Sequence, residues 1–206
     1  QFAFSFAYGL EDAGVGIFAA IAAQDNSLDV IQEAFDAQID ERMSRTKNRP
    51  LPQGKISQKK ALLFSLVLCV ISMFLLFFLI NTLPAFLTFL SLLGYAIIYT
   101  VYLKRATPQN IVIGGAAGAA PPVLGWTAVT GEVHSDALIL FLIILLWTPP
   151  HFGALAIAKK EDYEKANIPM LPVTHGNAFT RLFILNYTIL LVGITILPYQ
   201  TGMSGI

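Results

Sequence analysis

Long apolar segments alternate with short polar loops along most of this chain. The clearest apolar segment, residues 61–80, is uncharged and about 20 residues long, and a helix of that length spans a hydrocarbon core of about 30 Å. Four later segments repeat this character: residues 83–103, 111–130, 137–158 and 179–199. The pattern therefore predicts five transmembrane helices.

The opening segment, residues 1–23, matches a membrane span less well than the other five. It is apolar but contains Glu11 and Asp12, and a charge near the bilayer centre costs at least about 2.5 kcal/mol on insertion scales. It also lacks an initiator Met, a basic n-region and a small-residue cleavage site, which argues against a signal peptide. We therefore expect a sixth span here that is interrupted by charge. The missing initiator Met indicates a fragment or a processed product.

Composition supports a membrane protein and excludes several other classes. Hydrophobic residues make up 55% of the 206 residues and charged residues 13%, whereas soluble domains carry about 25% charged residues. The formal net charge is zero, so there is no overall field to attract nucleic acid. A single cysteine, Cys69, builds neither a disulfide framework nor a cysteine-based zinc site.

All 13 basic residues fall in three of the predicted loops or at the adjoining edge of a span. They are Arg42, Arg45, Lys47, Arg49, Lys55, Lys59 and Lys60 before the first strong span, Lys104 and Arg105 after the second, and Lys159, Lys160, Lys165 and Arg181 between the fourth and fifth. If the spans alternate in direction, these loops share one face of the membrane. The positive-inside rule assigns that face to the cytoplasm, or to the matrix in a mitochondrial inner membrane.

Two carboxylates, Asp36 and Asp40, precede the first basic loop with a spacing that puts both on one face of a helix. Such a pair repels unless a cation lies between its members. Mg²⁺ suits the pair because it accepts a few carboxylates and fills its other positions with water and phosphate oxygens. Taken alone, however, this spacing more often marks the solvated end of a helix.

Arg45, Lys47 and Arg49 follow directly, ahead of two prolines that end any helix and stiffen the loop. Arginine binds phosphate oxygens bidentately and lysine supplies a point charge, so this loop could stabilise a departing diphosphate. The same cations could instead serve only to fix the membrane topology.

The second basic loop runs from Lys104 and Arg105 through Asn110 into residues 114–122, which are mostly glycine, alanine and proline. Small residues at this density permit close helix packing, or leave room for a bulky ligand against the backbone. Helix packing is the simpler explanation.

The third basic loop combines acid and base in Lys160, Asp162 and Tyr163. Before it, His151 follows two prolines within an apolar span, where an imidazole is uncommon and usually pairs with or ligates another group. A hydrogen-bonded structural histidine at a proline kink explains His151 equally well.

In three blocks the sequence resembles the UbiA-type intramembrane prenyltransferases, and within that family the branch that farnesylates haem. The blocks are DAQIDERMSRTKNRPLPQGKIS (residues 36–57), YLKRATPQNIVIGGAAGAAPPVLGWTAVTG (residues 102–131) and HFGALAIAKKEDYEKANIPMLPVTHG (residues 151–176). The second and third blocks are more specific to the haem-modifying branch than the aspartate spacing is.

The resemblance implies an all-α fold, a polytopic transmembrane helical bundle around a central cavity. The whole of residues 1–206 is then one membrane-embedded domain. Members of this family have more transmembrane helices than are predicted here, so the resemblance also implies a partial bundle that lacks C-terminal helices.

The activity implied by the resemblance is Mg²⁺-dependent transfer of a farnesyl group from farnesyl diphosphate to a vinyl carbon of haem B, giving haem O for haem A biosynthesis. Haem B is then a substrate rather than a cofactor. Haem A synthase and terminal oxidase assembly proteins are the partners that it suggests, beside the lipid bilayer. Metal and fixed cations would stabilise the charge of the leaving diphosphate, and a lipid-embedded cavity would limit access of water.

Site residues follow from matching positions in the three blocks. The resemblance implies metal binding by Asp36, Asp40 and Asp162, with Lys104 as a further catalytic residue. It implies substrate binding by Arg45, Arg49, Arg105, Asn110, His151, Lys160 and Tyr163.

Three other functions stay open on the sequence alone. A related enzyme could prenylate a quinone precursor instead of haem. A transporter or channel would share the small residues and helix-breaking prolines, but it predicts polar residues near the bilayer midplane, whereas the charges here lie at one face. An inactive, truncated paralogue is the third alternative.

Overall fold

The computed structural model describes residues 30–35, 48–103 and 106–204, and these residues form helices and turns without a strand. The helices are α1 (Gln58–Leu75), α2 (Thr82–Leu93), α3 (Asn110–Ala119), α4 (Pro121–Thr130), α5 (Ser135–Ala158), α6 (Lys160–Lys165), α7 (Leu171–Thr174), α8 (Gly176–Ile194) and α9 (Leu197–Gln200). Wider π-helical turns, Leu76–Ile80 and Gly94–Leu103, continue α1 and α2. Residues 30–35 are also helical. The predicted all-α fold class is confirmed.

Five helical segments of the described chain are long and apolar enough to cross a membrane. They are Gln58–Ile80, Thr82–Thr100, Asn110–Thr130, Ser135–Ala158 and Gly176–Gln200. These segments correspond one to one with the five spans predicted from hydropathy, whereas the predicted span over residues 1–23 lies outside the described residues. The buried share does not exceed 29% in any of the five. Their apolar surfaces are therefore suited to contact with lipid.

Side chains and glycine at the helix ends account for the sharp connections between the spans. The Asn81 side chain accepts a hydrogen bond from the backbone N–H of Leu83 at 3.1 Å and starts α2. The His134 ring nitrogen Nδ1 accepts from the backbone N–H of Asp136 at 3.3 Å and starts α5. Gly131 ends α4 with a φ of 78°, a left-handed conformation that glycine adopts without steric cost.

Prolines act differently in the third and fourth spans. The predicted span over residues 111–130 is divided, because α3 ends at Ala119 and Pro121 begins α4. Proline fits the first turn of a helix, where its missing N–H would have no partner in the helix. In contrast, α5 runs continuously through Pro149 and Pro150. Just before them, the Thr148 hydroxyl donates to the carbonyl of Ile144 at 2.8 Å.

The long helix α5 lies at the centre of the described bundle and packs against α3, α4 and α8. Small residues allow this close approach. A Cβ atom added at Gly115 would lie 3.1 Å from Thr148 Cγ2, and one added at Gly153 would lie 2.9 Å from Ile184 Cγ1. Close van der Waals packing stabilises these helix contacts, because the hydrophobic effect contributes little between helices surrounded by lipid.

Three buried hydroxyl groups in the described spans donate back to their own helices. The hydroxyls of Ser65, Thr127 and Thr180 donate to carbonyl oxygens at 2.9 Å, three or four residues earlier. Without such partners, a polar group in an apolar environment would cost several kcal/mol. These hydroxyls therefore fill helix interfaces without adding unpaired donors.

The loops gather at two ends of the bundle. A small apolar cavity of about 20 Å³ is lined by Pro108, Pro149, Leu171 and Phe183, among others, so the second and third basic loops adjoin the same end. At the other end, a Cβ atom added at Gly131 would lie 3.2 Å from Asn81 Nδ2. We call the first of these the basic end; it comprises residues 48–57, 106–110 and 159–175.

The contact between α5 and α8 leads to a stability prediction for Gly153. In Gly153→Ala the new methyl group would lie 2.9 Å from Ile184 Cγ1, so either that side chain or α8 must move. Overpacking of this kind lowers the free energy of unfolding by about 1–3 kcal/mol. Unfolding of the purified protein in mixed micelles, followed by circular dichroism, measures the loss.

The matched control is Gly125→Ala in α4, where nothing lies within 4 Å of the added Cβ atom. Alanine loses less backbone entropy than glycine on helix formation, so stability should be unchanged or rise by up to about 1 kcal/mol. Equal stabilities of the two variants would contradict the close packing of α5 on α8.

Candidate functional site

Cations concentrate at the basic end and on the helix ends beside it. Those within the described residues are Arg49, Lys55, Lys59, Lys60, Lys159, Lys160, Lys165 and Arg181. Five of the predicted site residues lie outside the described residues: Asp36, Asp40, Arg45, Lys104 and Arg105. Their roles stay predictions, and the site is built here from its described neighbours.

The helical residues 30–35 lead directly into Asp36, and two long-range hydrogen bonds hold them in place. The Tyr95 hydroxyl donates to Gln32 Oε1 at 2.6 Å. The Gln58 side-chain amide donates to the backbone carbonyl of Ala34 at 3.0 Å. Residues 30–35 are thereby joined to the first turn of α1 and to the continuation of α2.

Arg49 adds an ion pair to the same region. Its Nε atom lies 3.5 Å from Glu33 Oε1, and the two side chains are 37% and 34% exposed. A pair this exposed contributes only about 0–1 kcal/mol to stability, so its main effect is to orient the first basic loop. The predicted contact of Arg49 with phosphate stays a prediction.

Asn110 closes the second basic loop. It is the first residue of α3 and only 1% exposed. Its side-chain amide donates to the carbonyl of Thr107 at 2.8 Å. The contact fixes the turn that follows Lys104 and Arg105. Asn110 is thus a buried structural residue here, and its predicted contact with substrate stays a prediction.

The third basic loop begins with α6, whose first turn contains Asp162. Lys160 Nζ lies 3.4 Å from Glu164 Oε1, one helical turn later. Tyr163 is half-buried, and its backbone carbonyl accepts a hydrogen bond from the N–H of Ile168 at 3.0 Å. The predicted residues Lys160, Asp162 and Tyr163 therefore share one short, internally bonded helix.

An apolar cluster fastens this loop to the bundle. Ala156 of α5 packs with Ala166, Ile168 and Met170, and Ile111 of α3 and Tyr163 pack against that cluster. The second and third basic loops are therefore joined through apolar contacts beneath their charged surface. This arrangement fixes the backbone that presents Asp162.

The chemistry of the predicted donors fits magnesium, although the described residues do not complete a site. In the described parts of the chain, no three His, Cys, Asp or Glu side chains come together in a way that could hold a metal ion. Asp162 would therefore need Asp36 and Asp40 to complete a set of carboxylate oxygens. Hard oxygen ligands of this kind are the ones that Mg²⁺ prefers.

His151 lies in an aromatic surface on α5. Its ring stacks on Trp147 with centroids 4.4 Å apart and an interplanar angle of 15°. Phe152 meets the His151 ring edge to face at 5.4 Å. All three side chains are exposed. The structure thus gives His151 an exposed aromatic surrounding, with one ring stacked on its face and one meeting it at the edge, rather than a buried hydrogen-bonded one.

A groove of about 310 Å³ runs between the continuation of α2 and α3. Its walls are almost wholly apolar, and small residues such as Gly94, Gly114 and Ala117 give it width. Tyr95 and Tyr99 line one wall with rings stacked 4.9 Å apart. Such a groove could hold an elongated hydrocarbon chain, and Tyr95 connects it with the helical stretch before Asp36.

The sequence alone did not predict that Tyr95, Gln32 and Trp147 contact residues of the candidate site. Tyr95 lies 63 residues from Gln32, and nothing local signals their contact. Two weaker signals were available in the spacing, because Gln32 precedes Asp36, and Trp147 precedes His151, by one helical turn.

Comparison with known proteins now identifies the family. A family model described as the UbiA prenyltransferase family matches residues 6–206. The chain is 62% identical over 192 residues to Protoheme IX farnesyltransferase of Methylococcus capsulatus, covering 93% of this chain and 62% of that protein. It is 57% identical to Protoheme IX farnesyltransferase 2 of Pseudoalteromonas atlantica, covering 93% and 61%. The chain thus spans about three fifths of the length of these curated relatives.

Solved structures show the same fold. A structure from work on digeranylgeranylglyceryl phosphate synthase in membranes has a TM-score of 0.73 at 26% identity and covers 98% of this chain and 70% of that one. A UbiA homologue from Archaeoglobus fulgidus bound to DMAPP and Mg²⁺ has a TM-score of 0.77 at 19% identity, covering 96% and 69%. With its apolar helices, this fold makes the chain an integral membrane protein. Since the family model matches nearly its whole length, the chain belongs to the UbiA prenyltransferase family.

Proposed function

We propose that this chain forms part of a farnesyltransferase that joins the farnesyl group of farnesyl diphosphate to a vinyl carbon of haem B, giving haem O. The observation that carries the proposal is identity of 55–62% over more than nine tenths of the chain to relatives named Protoheme IX farnesyltransferase. The concentration of cations at one end of an apolar bundle supports it, because both proposed substrates combine apolar bodies with charged groups.

The basic end is the proposed site of the diphosphate. Arg45, Arg49, Lys104 and Arg105 would bind its oxygens, and Lys160 would add positive charge nearby. Asp36, Asp40 and Asp162 would hold Mg²⁺, which when bound neutralises charge on the leaving group. The Archaeoglobus fulgidus homologue bound to DMAPP and Mg²⁺ supports a metal-dependent diphosphate site in this fold.

The proposed reaction needs neither an oxidant nor a reductant. The bond between farnesyl C1 and the diphosphate oxygen breaks, and its electron pair leaves with the diphosphate. C1 bonds to the terminal vinyl carbon of haem B. Water supplies a hydroxyl group to the other vinyl carbon and releases one proton. Fixed cations at the basic end would lower the barrier because they stabilise negative charge as it develops on the leaving diphosphate.

Apolar surfaces would receive the remaining parts of the substrates. The groove between α2 and α3 is the proposed channel for the farnesyl chain, since Tyr95 joins it to the helical stretch before Asp36. The exposed aromatic cluster of Trp147, His151 and Phe152 is the proposed contact for the porphyrin. An exposed imidazole in a membrane span is costly unless it meets a partner, and haem iron binds imidazole.

The activity itself is the first test. The purified protein in detergent, incubated with haem B, farnesyl diphosphate and Mg²⁺, should yield haem with an added hydroxyethylfarnesyl group, detected by mass spectrometry. EDTA should abolish the product, because the proposed ionisation depends on a bound divalent cation. The full-length protein of a curated relative serves as the positive control.

Asp36→Asn separates the metal site from the fold in this assay. It should remove turnover while thermal unfolding in detergent stays as in the wild type.

If the wild-type protein prenylates a quinone precursor but not haem B, the chain belongs to the other branch of the family. Product formation that resists EDTA and survives Asp36→Asn would exclude the proposed metal site.

His151→Ala tests the proposed acceptor surface. We expect the KM for haem B to rise and the Soret band of added haem to lose its protein-bound shift, with the KM for farnesyl diphosphate unchanged. The physical reason is that only the porphyrin would meet the imidazole. Steady-state kinetics with each substrate varied in turn provides the measurement.

His134→Asn is the control, because it removes an imidazole from the opposite end of the same helix and keeps a side chain able to cap α5. Its kinetics and haem spectrum should match the wild type. A His151→Ala enzyme with wild-type haem kinetics would refute a role for that residue at the acceptor.

The basic end should face the cytoplasm, as the positive-inside rule predicts. In a Cys69→Ser background, Lys55→Cys at the basic end and Glu132→Cys at the other end give single reporters at exposed positions. In spheroplasts of an expressing bacterium, a membrane-impermeant maleimide should label Glu132→Cys at once and Lys55→Cys only after permeabilisation. The reverse pattern would invert the proposed orientation.

A further inference from the structure

We infer that Tyr95 is a positioning residue for the proposed metal site: its hydroxyl holds the helical residues that lead directly into Asp36 and Asp40. The inference rests on the proposed function, because that proposal assigns the metal to those carboxylates. Nothing in the family comparison or in the sequence blocks singles out Tyr95 for this role.

The first observation is the hydrogen bond itself. The Tyr95 hydroxyl lies 2.6 Å from Gln32 Oε1, at the short end of the range for O–H···O contacts. Both residues are half-buried, so water competes less for the bond than it would at an open surface. The Tyr95 ring is held in turn by its stack on Tyr99.

The second observation is that three elements converge on three consecutive residues. Gln32 is held by Tyr95 from the continuation of α2, Glu33 pairs with Arg49 of the first basic loop, and the Ala34 carbonyl is held by the side chain of Gln58. Ala34 is only 2% exposed, so this stretch is packed as well as bonded. Such convergence fixes both the position of residues 32–34 and their rotation about the helix axis.

The third step is the spacing along the chain. Gln32 precedes Asp36 by four residues and Asp40 by eight, and the sequence predicts that the aspartates share one face of a helix. On that prediction, Tyr95 bonds to the residue one turn before the first metal ligand. Groups that hydrogen-bond a metal ligand directly commonly change metal affinity by about 10- to 100-fold when removed. Tyr95 acts one residue further from the ligand, so we expect a loss at the lower end of that range.

Two of these contacts, Arg49–Glu33 and Tyr95–Gln32, differ in strength. The Arg49–Glu33 pair is about one third exposed on each side and is screened by solvent. The Tyr95–Gln32 bond is short, half-buried and made by a rigid aromatic side chain with few rotatable bonds. The Tyr95–Gln32 bond is therefore the stronger of these two contacts.

The test measures metal binding directly, using Mn²⁺ as the probe in place of Mg²⁺. Purified protein in detergent with farnesyl thiodiphosphate, an unreactive substrate analogue, is titrated with Mn²⁺, and free Mn²⁺ is followed by electron paramagnetic resonance. We expect Tyr95→Phe, which removes only the hydroxyl, to raise the Kd for Mn²⁺ by about 10-fold. The unfolding temperature of Tyr95→Phe should equal that of the control variant, Tyr199→Phe.

Tyr199→Phe is the matched control, because it makes the same change at a side chain that is 59% exposed and lies in α9. It should bind Mn²⁺ as the wild type does. Gln32→Met should weaken binding to the same extent as Tyr95→Phe, and the double variant should be no weaker than either single variant, since both remove one shared bond.

The outcomes separate this inference from the proposed function. If Asp36→Asn abolishes Mn²⁺ binding while Tyr95→Phe binds like the wild type, the positioning role is wrong and the proposed metal site stands. Additive losses in the double variant would also overturn the role of the shared bond. If the wild type shows no binding that depends on Asp36, both the metal site and the inference fail.

Discussion

The absence of water from the bilayer core is the constraint on which the rest of this structure depends. Every backbone donor and acceptor there must find a partner within the protein, which restricts the spans to helices. Even the buried hydroxyls of Thr127 and Thr180 donate to their own helix. The charged groups of the described residues consequently lie in the loops and near the helix ends, so chemistry that needs charge must be built there.

Loop chemistry requires rigid support, and here apolar packing supplies it. Ala156 near the end of α5 packs with Ala166, Ile168 and Met170 of the third basic loop. Asn110, almost wholly buried, ties the second loop to the start of α3. Neither contact involves a charge pair. The packing of these two loops on the bundle therefore does not depend on the lysines that the structure describes in the third loop.

The sequence predicted what depends on local composition and left out what depends on distant contacts. The five spans were readable because length and hydropathy alone determine membrane insertion. Proline was a poorer guide: Pro121 begins a new helix, whereas α5 continues through Pro149 and Pro150, and packing against neighbouring helices decides between these outcomes. The bond from Tyr95 to Gln32 joins residues 63 positions apart, and no periodicity contains that information.

The depth of His151 in its helix bears on how the two proposed substrates would meet. It precedes the end of α5 at Ala158 by seven residues, which is about 10 Å along the helix axis. The reacting carbon of farnesyl diphosphate is bonded to the diphosphate and so must lie close to the basic end. A porphyrin that contacted His151 would thus lie deeper in the membrane than the diphosphate. On this proposal, the acceptor would meet the reacting carbon from deeper in the bundle, while the diphosphate would stay at the basic end.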